Sequence, residues 1–133
     1  MGHKISTQML LRHIISAPFT YALIFPLIIL DLFTEVYHQV CFRLYGIKLI
    51  SRRDYIRMDR HKLKYLNLIE KINCAYCSYA NGLMGYASAI AAETEKYWCG
   101  IKHRKYRGFK EPAHHKDFLK YGDEKSFRKK YYK

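Results

Sequence analysis

The stretch IISAPFTYALIFPLIIL, residues 14–30, decides the fold of this chain because its side chains prefer lipid to water. It holds no ionisable side chain other than Tyr21. As an α-helix it would be ~26 Å long, close to the ~30 Å hydrocarbon core of a bilayer. Pro18 and Pro26 can each kink a helix, so a segment that spans the bilayer and one that dips into it both stay open. The remaining alternative is a buried helix of a soluble protein.

The surroundings of this stretch indicate its orientation. A secretory signal peptide fits poorly, because no small-x-small cleavage site follows the apolar run. Only Lys4 and Arg12 precede it, whereas five basic residues lie just after it: Arg43, Lys48, Arg52, Arg53 and Arg57. The positive-inside rule therefore predicts a membrane protein with its C-terminal region in the cytoplasm.

Charge is divided into blocks along the 133 residues, whose formal net charge is +13. Residues 14–42 and 73–95 contain no Lys or Arg, whereas residues 43–72 and 96–133 carry net charges of +6 and +9. The basic blocks must face water or an anionic partner, and beside a membrane that partner is anionic lipid. A larger membrane complex and a homo-oligomer are further possible partners.

Composition and spacing predict an all-α fold with three regions. Three prolines and seven glycines are few for a many-turned β-fold. Residues 1–46 are predicted to form a membrane-anchoring helix, spanning or dipping, whose interfacial extension ends at Gly46. Residues 47–103 are predicted to form a small helical hairpin, with helices at 58–72 and 83–98 and a Cys-x-x-Cys turn at 73–82. Residues 104–133 are predicted to be a basic, Tyr-rich, irregular tail.

Cysteine and histidine spacing predicts a metal site in the hairpin. Cys74 and Cys77 form a C-x2-C pair, and Cys99 and His103 form a C-x3-H pair. Together they are a Cys3His set suited to zinc, or to iron. An unbroken helix over 83–98 would separate the two pairs by ~24 Å. A single site then requires the turn to run back along the helix or the helix to start later. Two half-sites, or a turn with buried thiols, are the alternatives.

Acids and a histidine form a second candidate site beside the apolar stretch. Asp31, Glu35 and His38 fall within a ~60° arc of one helix face, and Glu-x-x-His is a spacing found in di-metal bundles. An acid beside a lipid-facing run must be paired or coordinated. A second metal or polar site could be completed by several residues: Asp59, His61, Glu70, Glu93 and Glu95. The alternative is a set of salt bridges to arginines, namely Arg43, Arg52, Arg53, Arg57 or Arg60.

Three stretches resemble a known family: DLFTEVYHQVCFRLYGI at 31–47, KINCAYCSYANG at 71–82 and AAETEKYWCGIKH at 91–103. The family consists of small, uncharacterised bacterial proteins with the motifs YCxYANG and ETExYWCxIKH. The resemblance implies a bacterial source. It implies no activity and no catalytic residue.

These observations favour a membrane-anchored, metal-binding accessory protein that holds zinc or iron. The alternative is a membrane-bound metalloenzyme acting on an amphiphilic substrate through Asp31, Glu35 and His38. A third hypothesis is RNA binding by aromatic and basic residues of the tail. For a membrane-bound chain, anionic lipid is the favoured partner of these residues. The sequence contains no Gly-rich phosphate loop, H-E-x-x-H motif or nucleophile elbow.

Overall fold

A computed structural model describes residues 6–132, and within this range the chain is helical apart from one isolated β-bridge. The helices are α1 (Thr7–Ala22), α2 (Ile24–Tyr45), α3 (Leu68–Trp98) and α4 (Glu124–Tyr131). Short 3₁₀ turns lie at Arg52–Asp54, Arg60–Lys62 and Ala113–Asp117. The prediction of an all-α fold is confirmed. The chain divides into two compact units, the first ending at Ala87 and the second beginning at Ser88.

The apolar stretch lies in α1 and α2, which are separated by the single residue Leu23. Pro26 has no N–H to donate to the carbonyl of Ala22, which accounts for the break at this point. Leu23 keeps αR dihedrals (φ −63°, ψ −20°), so the chain continues in the same helical sense. Together Thr7–Tyr45 is long and apolar enough to cross a membrane by length and composition. Only 6% of its most apolar window is buried, unlike the core helix of a soluble protein.

Gly46 ends α2, as the sequence predicted. Its φ of 70° lies in the left-handed region, which glycine adopts without steric cost. Its N–H donates to the carbonyl of Arg43. The chain can therefore leave the helix sharply at this residue.

In the first unit, the first part of α3 lies alongside α1 and α2 and runs in the same direction. Tyr76 donates from its hydroxyl to the Thr20 carbonyl over 2.7 Å. Further along both helices, the Tyr79 hydroxyl donates to Asp31 over 2.6 Å. The hydrophobic core of this unit includes Leu27, Phe42, Leu83 and Tyr86, each at most 3% exposed. Because the two helical stretches run in parallel, residues 47–67 must return along them to the start of α3. We call residues 47–67 the return segment.

The return segment crosses α3 at Gly82. A Cβ placed on Gly82 would lie 2.6 Å from the Tyr55 carbonyl oxygen and 2.9 Å from the Cα of Ile56. No side chain fits between backbones at this distance. The glycine is therefore required for the close approach of the two segments.

The predicted turn at residues 73–82 is wrong, because these residues lie inside the unbroken helix α3. Gly82 serves close packing rather than a turn and does not have a positive φ. Asn81 donates from its side chain to the Cys77 carbonyl within the helix, at 3.0 Å. The predicted hairpin of two short helices is therefore one long helix.

The predicted helix at 58–72 is also largely absent. α3 begins only at Leu68, where Asn67 and Glu70 form a reciprocal capping box. Each side chain accepts from the other residue's backbone N–H over 2.9 Å. The residues before Asn67 therefore remain outside the helix, apart from the turn at Arg60–Lys62.

The tail, predicted to be irregular, carries defined elements in the second unit. The bridge pairs Ile101 with Leu119. Its hydrogen bonds run from Leu119 to the Gly100 carbonyl and from Lys102 to the Leu119 carbonyl, each 2.8 Å long. Asp123 caps α4 by accepting from the N–H of Ser126 over 3.1 Å.

Candidate metal centre

In the second unit, three side chains from separate parts of the sequence come within metal-binding distance of one another. One ligand atom each of Glu95, His103 and His115 lies within 4.8 Å of the other two. Within residues 6–132, no other group of three His, Cys, Asp or Glu side chains brings its ligand atoms this close together. Two imidazoles and one carboxylate are a donor set found in zinc sites and in non-haem iron sites.

Local structure explains how these residues meet. Glu95 lies in the last turn of α3, and His115 lies in the 3₁₀ turn that follows Pro112. The bridge between Ile101 and Leu119 holds the chain after α3 against the chain after the 3₁₀ turn. His103 is two residues beyond Ile101 and is thus brought towards His115, with ring centroids 5.6 Å apart.

Glu95 is the electrostatic centre of the group. Its Oε2 accepts hydrogen bonds from His114 Nε2 at 2.5 Å and from His115 Nε2 at 3.0 Å. The hydrogen bond from His114 lowers the pKa of Glu95 below its ordinary value, with His115 adding to the effect. The carboxylate is therefore ionised at neutral pH and available as a ligand. His114 is a candidate fourth donor or an outer partner of the carboxylate.

His115 is the most unusual member of the group because it is a nearly fully buried histidine. It is 1% exposed, and its ring stacks on Phe118 with centroids 4.6 Å apart. Its Nδ1 is buried and has no hydrogen-bond partner, the one such side-chain N or O atom between residues 6 and 132. Buried polar atoms are nearly always satisfied, and an ion is among the explanations for an exception.

The exposure of the three ligands indicates what such a centre could do. His115 is buried, Glu95 is partly buried and His103 is exposed. Three protein ligands leave a coordination position for water or another molecule. A metal held here would face solvent on the side of His103.

The predicted Cys3His site is not formed in the part of the chain that the structure describes. Cys74 is buried in the first unit, Cys77 is exposed on the same helix, and Cys99 is exposed after α3. None of the three belongs to the group around Glu95. Of the four predicted ligands, only His103 takes part in a ligand cluster. The physical reason is that Cys74 and Cys77 lie within a continuous helix and not in a turn that could fold back.

The acidic stripe of α2 is paired with the return segment and α3. Arg52 binds Asp31 through two hydrogen bonds, Nη1–Oδ1 at 2.5 Å and Nη2–Oδ2 at 2.7 Å. The Tyr79 hydroxyl donates to the same carboxylate, and Arg52 lies over the Tyr86 ring at 5.6 Å. The structure therefore matches the salt-bridge alternative for Asp31.

Glu35 and His38 are joined through Tyr86. The N–H of Ile50 donates to His38 Nε2 over 3.0 Å, so in the neutral imidazole the proton is on Nδ1. His38 Nδ1 then donates to the Tyr86 hydroxyl at 2.9 Å, and Tyr86 donates to Glu35 at 2.8 Å. This network satisfies the polar groups without a metal, and the metalloenzyme alternative finds no support in it.

Apart from Glu95, the residues predicted to complete the second site do not join a metal group within residues 6–132. Asp59 and His61 are exposed in the return segment. Glu93 forms an ion pair with Lys96 at 2.6 Å on α3. A second metal site at these residues is therefore not supported.

Tyr79 provides a pH prediction for the network around Asp31. Burial and the hydrogen bond to Asp31 raise its pKa from the ordinary 10.0 to about 12. A raised folded-state pKa stabilises the fold fully below the unfolded-state value, and this contribution is lost as the pH rises through about 12. The difference between the alkaline absorbance titrations of the protein and its Tyr79→Phe variant should therefore show one tyrosine titrating near pH 12. A difference centred at the ordinary value would contradict the hydrogen bond.

His114 and His115 were not predicted as ligands from the sequence. Both lie in the tail predicted to be irregular, and no periodic pattern surrounds them. The available indication was an adjacent histidine pair directly after Pro112 and Ala113. Glu95 was named only as a possible partner of the acidic stripe, although the structure places it beside both histidines.

Comparisons with known proteins do not extend this picture, since no family model, curated protein or solved structure matches the chain.

Proposed function

We propose that the chain is a membrane-anchored metal-binding protein whose metal, zinc or iron, is held by Glu95, His103 and His115. The observation that carries the proposal is the convergence of these three ligand atoms within 4.8 Å. The site replaces the cysteine set that the spacing of the sequence indicated.

The choice between zinc and iron follows from ligand chemistry. Two histidines with one glutamate bind zinc in hydrolytic sites, and two histidines with one carboxylate bind ferrous iron in oxygenases. Both leave an open position, and neither requires a thiolate. Calcium and magnesium prefer sites made of oxygen ligands and are disfavoured here.

The membrane part of the proposal is supported by α1 and α2. Their apolar residues are mostly exposed, and only 6% of the most apolar window is buried in the protein. The surplus of basic residues in the return segment favours contact with anionic lipid. The proposed function is therefore metal binding beside a membrane surface, and the positive-inside rule favours the cytoplasm for the C-terminal region.

Calorimetric titration of the full-length, metal-free protein with zinc tests the metal site. We expect one bound ion per chain. His103→Ala should weaken zinc binding by at least 100-fold, because it removes a direct metal ligand. His103 is exposed, so its removal should leave the fold intact. Glu95→Gln, which keeps the side chain's volume, should act in the same direction.

His61→Ala is the matched control for this titration. His61 is also an exposed histidine, but it lies in the return segment of the first unit. Its removal should not change zinc affinity. Equal binding by the protein and by both Glu95→Gln and His103→Ala would overturn the proposed site.

A further inference from the structure

The outward face of α1 and α2 is a continuous apolar stripe. Most of its large side chains are at least half exposed, among them Phe19 at 78%, Phe33 at 70% and Leu44 at 77%. From Ile14 to Leu44 the stripe is ~45 Å long at ~1.5 Å per residue. This length exceeds the ~30 Å hydrocarbon core of a bilayer. A helix that crosses the bilayer does not need so long a stripe, whereas a helix lying in the plane of the membrane can use all of it.

Two charged residues of α2 within this length, Asp31 and Glu35, face the other way, whereas Arg43 is exposed near the end of α2 and donates to Gln39. Asp31 binds Arg52 and Tyr79, and Glu35 accepts from Tyr86. Each of these partners comes from α3 or the return segment. Between Ile14 and Val40 the helix pair therefore carries its charged groups on the side of the protein and none on the outside.

The return segment places further charges beside the same helices. It lies next to His38 at its start, through the hydrogen bond from Ile50. At its end, Asn67 lines a cavity of about 750 Å³ together with Met9 and Leu10 of α1. Between these points it carries six basic and two acidic residues: Arg52, Arg53, Asp54, Arg57, Asp59, Arg60, Lys62 and Lys64. All of them except Arg52 are exposed.

This arrangement decides between crossing the membrane and lying on it. If α1 and α2 crossed the bilayer, the return segment beside them would enter the hydrocarbon with many of its exposed charges. Each charge costs at least ~2.5–3.5 kcal/mol at the bilayer centre. If the helix pair lies in the interface, every one of these charges stays in water. The second placement is strongly favoured.

We infer that the first unit is a monotopic membrane-binding module, with α1 and α2 lying in the plane of one leaflet and the apolar stripe inserted among the acyl chains. The partner is a lipid bilayer surface with anionic headgroups, because the return segment has a surplus of basic residues. This inference rests on the membrane part of the proposed function and specifies how the membrane is bound.

Depth measurements with single tryptophans test the inference. In the full-length protein with Trp98→Phe as background, three variants place the probe along the stripe: Phe19→Trp, Phe33→Trp and Leu44→Trp. Vesicles contain phosphatidylcholine with or without phosphatidylglycerol and carry lipid-attached quenchers at known depths. The three probes should report the same shallow depth, ~5–10 Å below the headgroups. Binding should be stronger to the vesicles with phosphatidylglycerol and should weaken with salt.

The other results would overturn the inference in different ways. A helix that crosses the bilayer would separate the probes at 19 and 33 by ~21 Å in depth. That result would leave membrane anchoring intact and remove only the in-plane placement. A stable dimer in solution that does not bind vesicles would show that a second copy covers the stripe. That result would also contradict membrane anchoring. Zinc titration of the same samples reports on the metal site independently.

Discussion

Replacing Arg52 with alanine should lower the free energy of unfolding by about 3 kcal/mol. Arg52 neutralises Asp31, whose side chain is only 17% exposed, through two hydrogen bonds. Removing one partner of a buried pair costs ~3–5 kcal/mol because the other charge stays unpaired. Arg52 is itself 38% exposed, so solvent screening places the expected loss at the lower end. Chemical unfolding in detergent micelles, followed by circular dichroism, measures it.

Arg53→Ala is the matched control for Arg52. The neighbouring arginine is exposed and takes part in no ion pair within the described range 6–132. Surface substitutions of this kind change stability by less than ~0.5 kcal/mol. Equal effects of the two substitutions would show that the pair with Asp31 does not stabilise the fold.

Gly82→Ala should destabilise the protein by about 2 kcal/mol. The new Cβ would meet the backbone of Tyr55 at 2.6 Å and of Ile56 at 2.9 Å, and neither can move without shifting the return segment. Such overpacking lowers the free energy of unfolding by up to ~3 kcal/mol. The higher helix propensity of alanine offsets ~1 kcal/mol of this loss. The return segment should also become more accessible to protease in the variant.

Gly85→Ala provides the comparison on the same helix, one turn later. There the new Cβ would lie 3.3 Å from Cδ1 of the Tyr55 ring, a side chain that can adjust. The helix-propensity gain should offset this tighter contact, leaving stability within ~0.5 kcal/mol of the unchanged protein. A loss for Gly85→Ala as large as that for Gly82→Ala would show that the backbone crossing at Gly82 is not special.

The features that depend on local sequence were predictable. The apolar run at 14–30 predicted the long helix because hydrophobicity and length suffice for that prediction. Gly46 predicted the helix end because a left-handed residue there favours glycine. The Asn81-Gly82 pair predicted a turn that is absent, because the role of this glycine is not local. Its glycine is required by a contact with Tyr55, 27 positions earlier in the chain, which no local pattern reveals.

The candidate metal centre depends on contacts between distant residues and was predicted only through His103. Cysteine spacing suggested a site built within one turn, but that turn is helical. Glu95 and His115 are brought together by the bridge between Ile101 and Leu119, which links segments without sequence periodicity. Sequence spacing can detect ligands that are neighbours in one element, whereas this group combines a helix end with two loops.

The absorption spectrum of the cobalt-substituted protein tests the central claim most directly, because it identifies the ligand atoms. Coordination by Glu95, His103 and His115 predicts one Co²⁺ per chain with weak visible bands and without intense thiolate charge-transfer absorption. The spectrum should persist in Cys74→Ser and disappear in His103→Ala. Intense thiolate bands that are lost in Cys74→Ser would contradict the account and show that the cysteines are the ligands. A protein that binds no cobalt would show that there is no metal centre.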